Sequence, residues 1–136
     1  MGALRERYPV WFAIGVNTLF FSVLHLTNPG ITIISFSEIA AIGLALSLIV
    51  YYFDSFWMAV AIHTAWNFTQ SLLFGLPNSG IVSQGSFLHL ESARASFLYD
   101  VTFGVEGTIT SVVVVAALIV AVVWLGRKQA AGTEMD

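Results

Sequence analysis

Two histidines and an asparagine lie within long apolar stretches of this sequence. His25 follows one apolar run, and His63 and Asn67 lie four residues apart in another. Residues with that spacing share one face of a helix. Imidazole nitrogens bind metals and carry protons, and an asparagine amide offers both a donor and an acceptor. These residue types are suited to holding a metal ion, orienting a water molecule or stabilising an oxyanion.

A polar stripe continues from His63 along the same predicted helix. Gln70 and Ser71 follow Asn67 at positions that extend its face. Ionisable side chains inside a membrane are costly and by default suggest a functional site. The alternative is that polar residues only join helices, through hydrogen bonds worth about 0.6 kcal/mol on average. Because two histidines and an asparagine are expected to face one interior, we favour a functional site.

Carboxyl groups suited to acid–base chemistry are few in the apolar stretches. Glu38 and Glu106 each stand at the start of a predicted helix. Negative charge is favourable at a helix N-terminus, so we interpret both as interfacial residues. His89 lies in a long connection and is interpreted as solvated or interfacial.

The composition indicates which elements hold these residues. The chain has 136 residues, of which 57% are hydrophobic and 10% charged, whereas a soluble domain carries about 25% charged residues. This composition argues against a soluble globular domain, and it excludes a disordered chain. With no cysteine, disulfides and thiolate metal sites are excluded as well. Five basic residues are too few to neutralise a nucleic-acid backbone, so no nucleic-acid partner is expected.

The charged residues leave uncharged stretches of 30, 36 and 20 residues. About 20 apolar residues allow a helix to cross a membrane, and four segments fit, namely 9–27, 35–53, 57–76 and 106–126. We therefore predict an all-α fold, a polytopic transmembrane bundle of about four helices. Gly43 and Ser47 predict close packing of the second helix. A weaker pattern predicts an interfacial amphipathic helix over 86–99.

Basic residues flank the first and last predicted helices. Arg5 and Arg7 precede the first, and Arg127 and Lys128 follow the last. Four crossings place both termini on one side, and the positive-inside rule places that side in the cytoplasm. We expect a multi-pass protein of the plasma membrane, with membrane lipid as a partner.

Two motifs resemble those of a known family. Phe21 and His25 fit the Phe-x-x-x-His motif of the CPBP intramembrane proteases, also called the Abi family or type II CAAX prenyl endopeptidases. His63 and Asn67, with Trp66 between them, fit the family's His-x-x-x-Asn motif. The resemblance covers about residues 2–126, including the sequence Gly-Val-Glu-Gly at 104–107. It implies one CPBP-like membrane domain over 1–126, followed by a polar tail over 127–136.

The resemblance also implies roles for individual residues. His25, His63 and Asn67 would be catalytic, and Phe21 would be a packing neighbour. His25 and His63 would also be the ligands of a divalent metal ion such as zinc, although a metal requirement is disputed in the family. The substrates would be membrane-associated or prenylated peptides and proteins.

One motif of the family has no counterpart in this sequence. The family carries Glu-Glu-x-x-x-Arg just upstream of its Phe-x-x-x-His helix, and the first glutamate is held to activate the attacking water. The residues from Arg5 to Arg7 do not reproduce it, which suggests a chain truncated on that side. Three hypotheses stay open: an intramembrane endopeptidase, either active or inactive as this isolated chain, a non-catalytic membrane binding module (a pseudoprotease), or a small transporter subunit.

The positions of His25 and His63 along their helices make it difficult for the two side chains to share one site. At 1.5 Å per residue, His25 lies about 27 Å beyond Arg7 and His63 about 13 Å beyond Asp54. If Arg7 and Asp54 were level, the histidines would differ in depth by about 14 Å. We nevertheless predict that they converge, because each is costly in a membrane without a partner.

Overall fold

The computed structural model describes residues 2–90 and 94–133 and is built from helices. The predicted all-α bundle is confirmed, and no strand occurs among the described residues. The helices are α1 (Gly2–Arg5), α2 (Val10–Leu24), α3 (Ile33–Phe53), α4 (Phe56–Asn67), which continues as a π-helix (Phe68–Leu73), and α5 (Ile109–Thr133), preceded by a 3-10 turn (Val105–Gly107).

Two helices are long and apolar enough to cross a membrane. They are α3 and the part of α5 from Ile109 to Gly132. The other two predicted spans are also helical, but α2 has only 15 residues and α4 changes to a π-helix after 12. Each of the four predicted segments therefore contains a helix, and within the described residues two meet the length of a span.

The turn between α3 and α4 is tight because both helix ends are specified locally. α3 begins with a capping box, in which Thr32 and Ser35 each bind the other's backbone N–H. It ends at Asp54, whose backbone is left-handed. Ser55 then caps α4 by accepting a hydrogen bond from the Met58 N–H at 3.1 Å. The chain reverses between α3 and α4 with almost no loop.

Small residues let α2 lie close to α3. A Cβ atom added at Gly43 would lie 3.0 Å from the Phe21 ring. One turn further along α3, the buried Ser47 accepts a hydrogen bond from Asn17 Nδ2 at 2.8 Å. The predicted close packing at Gly43 and Ser47 is confirmed, and it fixes the position of Phe21 in the interior.

Contacts at the two ends of the bundle show the helix directions. Near their starts, α3 and α5 are joined by Glu38 and Ser111, whose oxygens lie 2.6 Å apart. Near their ends, Tyr52 packs against Gly126. These two helices are therefore parallel, and α2 and α4 run the opposite way. Arg5 pairs with Asp54 at 3.7 Å, so both basic flanks lie at one end of the bundle.

The amphipathic helix predicted over 86–99 is wrong for the described residues, none of which is helical; residues 91–93 lie outside them. The backbone N–H groups of Phe87, Leu88 and Leu90 instead donate to carbonyls at the end of the π-helix, at 2.8 to 3.0 Å. A helix end leaves carbonyls without partners. The N–H groups of residues 87, 88 and 90 supply partners for these carbonyls, so they are not available for a helix of their own.

Candidate active site

The two predicted site histidines both contact the Phe21 ring. Its centroid is 4.6 Å from the His25 ring and 5.5 Å from the His63 ring. The imidazoles are thus separated by no more than the sum of these distances. This limit is smaller than the depth difference of about 14 Å expected for level helix starts, and the Phe21 ring packs against both imidazoles.

Local hydrogen bonds orient both imidazoles. His25 follows the last residue of α2, and its Nδ1 lies 2.7 Å from the Phe21 carbonyl oxygen. A carbonyl only accepts, so Nδ1 is the donor, and in the neutral ring Nε2 is then an acceptor. His63 Nε2 lies 3.3 Å from Asn67 Nδ2. The amide donates there, so Nε2 of His63 is also an acceptor.

Asn67 has one atom that its surroundings leave unsatisfied. Its Oδ1 is buried and has no hydrogen-bond partner among the described residues. A buried acceptor without a partner costs about 1–3 kcal/mol. A water molecule, a substrate N–H or a cation bound next to Asn67 would remove that cost.

A cavity of about 540 Å³ brings the three predicted site residues together. Ser71 contributes to the wall, as the predicted stripe requires, but Gln70 does not, because the π-helix turns it toward the bundle interior. The lining residues are Leu24, His25, Asn28, His63, Thr64, Asn67, Phe68, Ser71, Leu72, Asn78, Ser79 and Ile81.

A second, apolar cleft of about 400 Å³ meets the first cavity at His63. It lies between α3, α4 and α5. It is lined by Ile42, Ala45, Leu46, Ile62, His63, Ala65, Trp66, Thr69, Val114, Val115 and Leu118. His63 therefore stands between a polar and an apolar space.

Behind the polar cavity lies a carboxyl group that the sequence did not place there. Glu106 is 1% exposed. It accepts hydrogen bonds from Trp66 Nε1 at 2.6 Å, from Gln70 Nε2 at 3.1 Å and from the Ser79 hydroxyl. The predicted interfacial position is wrong, because the 3-10 turn carries Glu106 inward. The only signal in the sequence is that the Gly-Val-Glu-Gly stretch takes part in the family resemblance.

The interfacial interpretation is also wrong for Glu38. Its side chain is fully buried, and Oε1 accepts a hydrogen bond from Ser111 at 2.6 Å. α3 begins at Ile33, so Glu38 lies more than a turn into the helix and faces α5. His89, by contrast, is exposed, as predicted.

The donors for a divalent metal ion are two imidazoles and one amide oxygen. No group of three His, Asp or Glu side chains suited to a metal occurs in the described part of the chain. A catalytic zinc takes three protein ligands and a water. His25 and His63 are two imidazoles of the kind that bind zinc, and a third protein ligand would have to be an oxygen donor such as the unpartnered Oδ1 of Asn67.

A family model provides the decisive comparison. The model described as "Type II CAAX prenyl endopeptidase Rce1-like" matches residues 1–69, half of the chain. The chain belongs to this family. The resemblance seen in the motifs is thereby confirmed, and this family of type II CAAX prenyl endopeptidases is membrane-associated. The match includes His25, His63 and Asn67, whereas Ser79 and Glu106 lie beyond it. No curated protein and no solved structure matches the chain.

Proposed function

We propose that this member of the type II CAAX prenyl endopeptidase family is an intramembrane hydrolase that cleaves peptide bonds of membrane-associated or prenylated substrates. The observation that carries the proposal is the shared cavity of His25, His63 and Asn67. Together these residues supply two imidazole acceptors and an amide. That combination suits attack of water on a peptide carbonyl.

The reaction begins with a water molecule in the polar cavity. His25 Nε2 accepts one proton of the water, since Nδ1 is engaged with the Phe21 carbonyl. The water oxygen bonds to the carbonyl carbon, and the carbonyl oxygen takes on negative charge. Asn67 Nδ2 donates a hydrogen bond to that oxygen, and His63 positions the amide. The C–N bond then breaks, and His25 returns the proton to the leaving amine.

As an alternative to proton transfer to His25, a divalent metal ion such as zinc would be held by His25 and His63, with Asn67 Oδ1 as an oxygen ligand. The ion would supply Lewis-acid polarisation of a carbonyl or a bound water. The unpartnered Oδ1 supports this assignment. With an ion bound, the protein would be a metalloprotease.

The apolar cleft suits the lipid chain of a prenylated substrate. Its volume of about 400 Å³ falls within the range of roughly 300–1,000 Å³ of small-molecule pockets. Because His63 borders both spaces, an isoprenoid chain in the cleft would place the neighbouring peptide at the polar cavity. The substrate partner is thus a membrane-associated peptide or protein. Its isoprenoid chain is held in the apolar cleft, and its peptide backbone is held at the polar cavity.

The exposed surface supports a multi-pass protein in contact with membrane lipid. Trp11, Trp57 and Trp124 are 70%, 77% and 62% exposed, and such indoles anchor helices at membrane interfaces. Both basic flanks lie at one end of the bundle. We place that end in the cytoplasm and the protein in the plasma membrane, with four helical segments inserted. The polar cavity then opens toward the opposite side.

Cleavage of a prenylated peptide in proteoliposomes tests the proposal. We expect hydrolysis by the wild-type protein, and a loss of at least about 100-fold in kcat/KM for His63→Ala and Asn67→Ala. His89→Ala is the matched control and should keep full activity, because its imidazole is exposed and does not line the cavity. An unprenylated peptide should have a higher KM.

Other outcomes favour the alternative functions. Saturable binding of the prenylated peptide without cleavage would make the protein a non-catalytic membrane binding module. Ion flux that depends on His63, with neither binding nor cleavage of peptide, would make it a transporter subunit.

A further inference from the structure

Ser79 is held in a fixed position at the wall of the polar cavity. Its backbone is left-handed, with φ of 49°, a conformation that costs a non-glycine residue free energy. Its carbonyl accepts a hydrogen bond from Asn28 Nδ2 at 2.9 Å. The following residue, Gly80, packs so closely against Pro29 that an added Cβ would lie 2.1 Å from the Pro29 carbonyl oxygen. The loop therefore cannot move without breaking these contacts.

The hydroxyl of Ser79 has a defined direction. It donates to Glu106 Oε2, and a serine hydroxyl has one proton and two lone pairs. Because the proton points away toward the bundle interior, the lone pairs are left for any donor in the cavity. Ser79 is therefore a hydrogen-bond acceptor at the wall that it shares with His25 and His63.

Glu106 is itself immobilised by the helix that carries the other site residues. Trp66 Nε1 and Gln70 Nε2 both donate to its Oε1. Trp66 neighbours Asn67, and Gln70 lies in the π-helix that follows. Glu106 does not line the cavity, so it reaches the cavity only through Ser79.

We propose that Ser79 is a further residue of the active site, which accepts a hydrogen bond from the attacking water, and that Glu106 is a positioning residue that holds the Ser79 hydroxyl as an acceptor. The proposal rests on the hydrolytic function proposed above. The water then has two acceptors, His25 Nε2 for the proton it loses and Ser79 Oγ for the proton it keeps. Two acceptors fix the direction of the water lone pair that attacks the carbonyl carbon.

An isosteric substitution of Glu106 separates this role from a structural one. In Glu106→Gln, the carbonyl oxygen can still accept from Trp66 and Gln70. The amide nitrogen then replaces Oε2 and donates to Ser79 Oγ. The Ser79 proton must turn toward the cavity, so the hydroxyl becomes a donor there. The fold is retained while the polarity of the cavity wall is reversed.

The experiment is a double-mutant cycle in proteoliposomes with the prenylated peptide. Ser79→Ala and Glu106→Gln should each lower kcat by about 10- to 100-fold, with KM unchanged within about threefold, because the water is misdirected while substrate binding is kept. The double variant should be no slower than Ser79→Ala alone, because Glu106 acts through Ser79. Ser79→Gly should match Ser79→Ala, since glycine accepts the left-handed backbone.

Ser111→Ala is the matched control, since Ser111 also donates to a buried carboxyl group but lies outside the cavity. Its kcat should equal that of the wild type. The proposal is overturned if Ser79→Ala and Ser79→Gly keep wild-type kcat, or if the effects of Ser79→Ala and Glu106→Gln multiply in the double variant. If either result is found while His63→Ala is inactive, only the roles of Ser79 and Glu106 are overturned, and the proposed hydrolytic function is retained. A wild-type protein that does not cleave, or full activity of His63→Ala, overturns both.

Discussion

Glu38 and Glu106 are both buried at the end of the bundle where α3 and α5 begin, but their surroundings differ. Glu106 accepts hydrogen bonds from three side chains, which belong to α4, to the π-helix and to the connection after it. Glu38 accepts one, from Ser111, and its Oε2 has no partner among the described residues. Burial alone therefore does not show how many elements of the fold a carboxyl group joins.

Glu106 and Glu38 differ in how many elements of the fold each carboxyl group joins. Glu106 connects the segment that carries His63 and Asn67 to the loop that carries Ser79. Glu38 connects two helices that already pack along their length, as the contact between Tyr52 and Gly126 at their far ends shows. Glu106 joins these segments through three side-chain donors, in addition to the backbone bond from the Leu76 N–H to the Gln70 carbonyl oxygen at 2.9 Å, whereas α3 and α5 also pack at their far ends without Glu38.

The largest effect is expected from Glu106→Leu. This change leaves three donors inside the bundle without an acceptor, at about 1–3 kcal/mol each. We expect the free energy of unfolding to fall by about 3 kcal/mol or more, measured by denaturant titration in micelles. A loss below about 1 kcal/mol would mean that the three donors find other acceptors, and the contrast with Glu38 would disappear.

A smaller loss is expected from Trp66→Phe. It removes the indole donor at 2.6 Å from Glu106 but keeps an aromatic ring, so the free energy of unfolding should fall by about 2 kcal/mol. Trp57→Phe is the matched control. Its indole is 77% exposed, and exposed substitutions usually stay within about 0.5 kcal/mol. Equal losses for the two variants would show that the bond to Glu106 contributes nothing specific.

The sequence predicted the helices and the shared helix face of His63 and Asn67 for the same reason. Apolar stretches of helical length indicate where the helices lie, and a spacing of four residues places His63 and Asn67 on one face. Both signals are local. The start of α3 differs by two residues from the predicted one because the capping box of Thr32 and Ser35 extends the helix.

Ser79 and Glu106 were missed because their contact is not local. They lie 27 residues apart, and the chain between them has only a weak helical periodicity, which the described residues do not follow. The π-helix was missed for a related reason. It turns Gln70 away from the polar stripe and toward Glu106. Glu106, which accepts the hydrogen bond from Gln70, follows 36 residues later in the chain. Only the folded chain brings these groups together.

Ser111→Ala tests the weaker of the two carboxyl groups. It removes the one hydrogen bond that Glu38 accepts, so the free energy of unfolding should fall by about 1 kcal/mol. Denaturant titration in micelles measures this free energy. The control is Ser37→Ala, which removes an exposed serine of α3 and should change the free energy of unfolding by less than about 0.5 kcal/mol. A loss as large as that of Glu106→Leu would show that Glu38 is as important to the fold as Glu106.

The smallest effect is expected from Glu38→Met. The substitution removes a buried oxygen that has no partner and fills the same space with an apolar chain. Ser111 can then donate to the carbonyl four residues earlier in the chain, as Ser22 and Ser47 already do. Replacing a buried polar group in this way is often neutral or stabilising, so we expect a change within about 1 kcal/mol of either sign. The same unfolding titration measures it. A loss of several kcal/mol would require a partner for Glu38 Oε2, such as a bound water, and would make the two carboxyl groups alike in their importance for the fold.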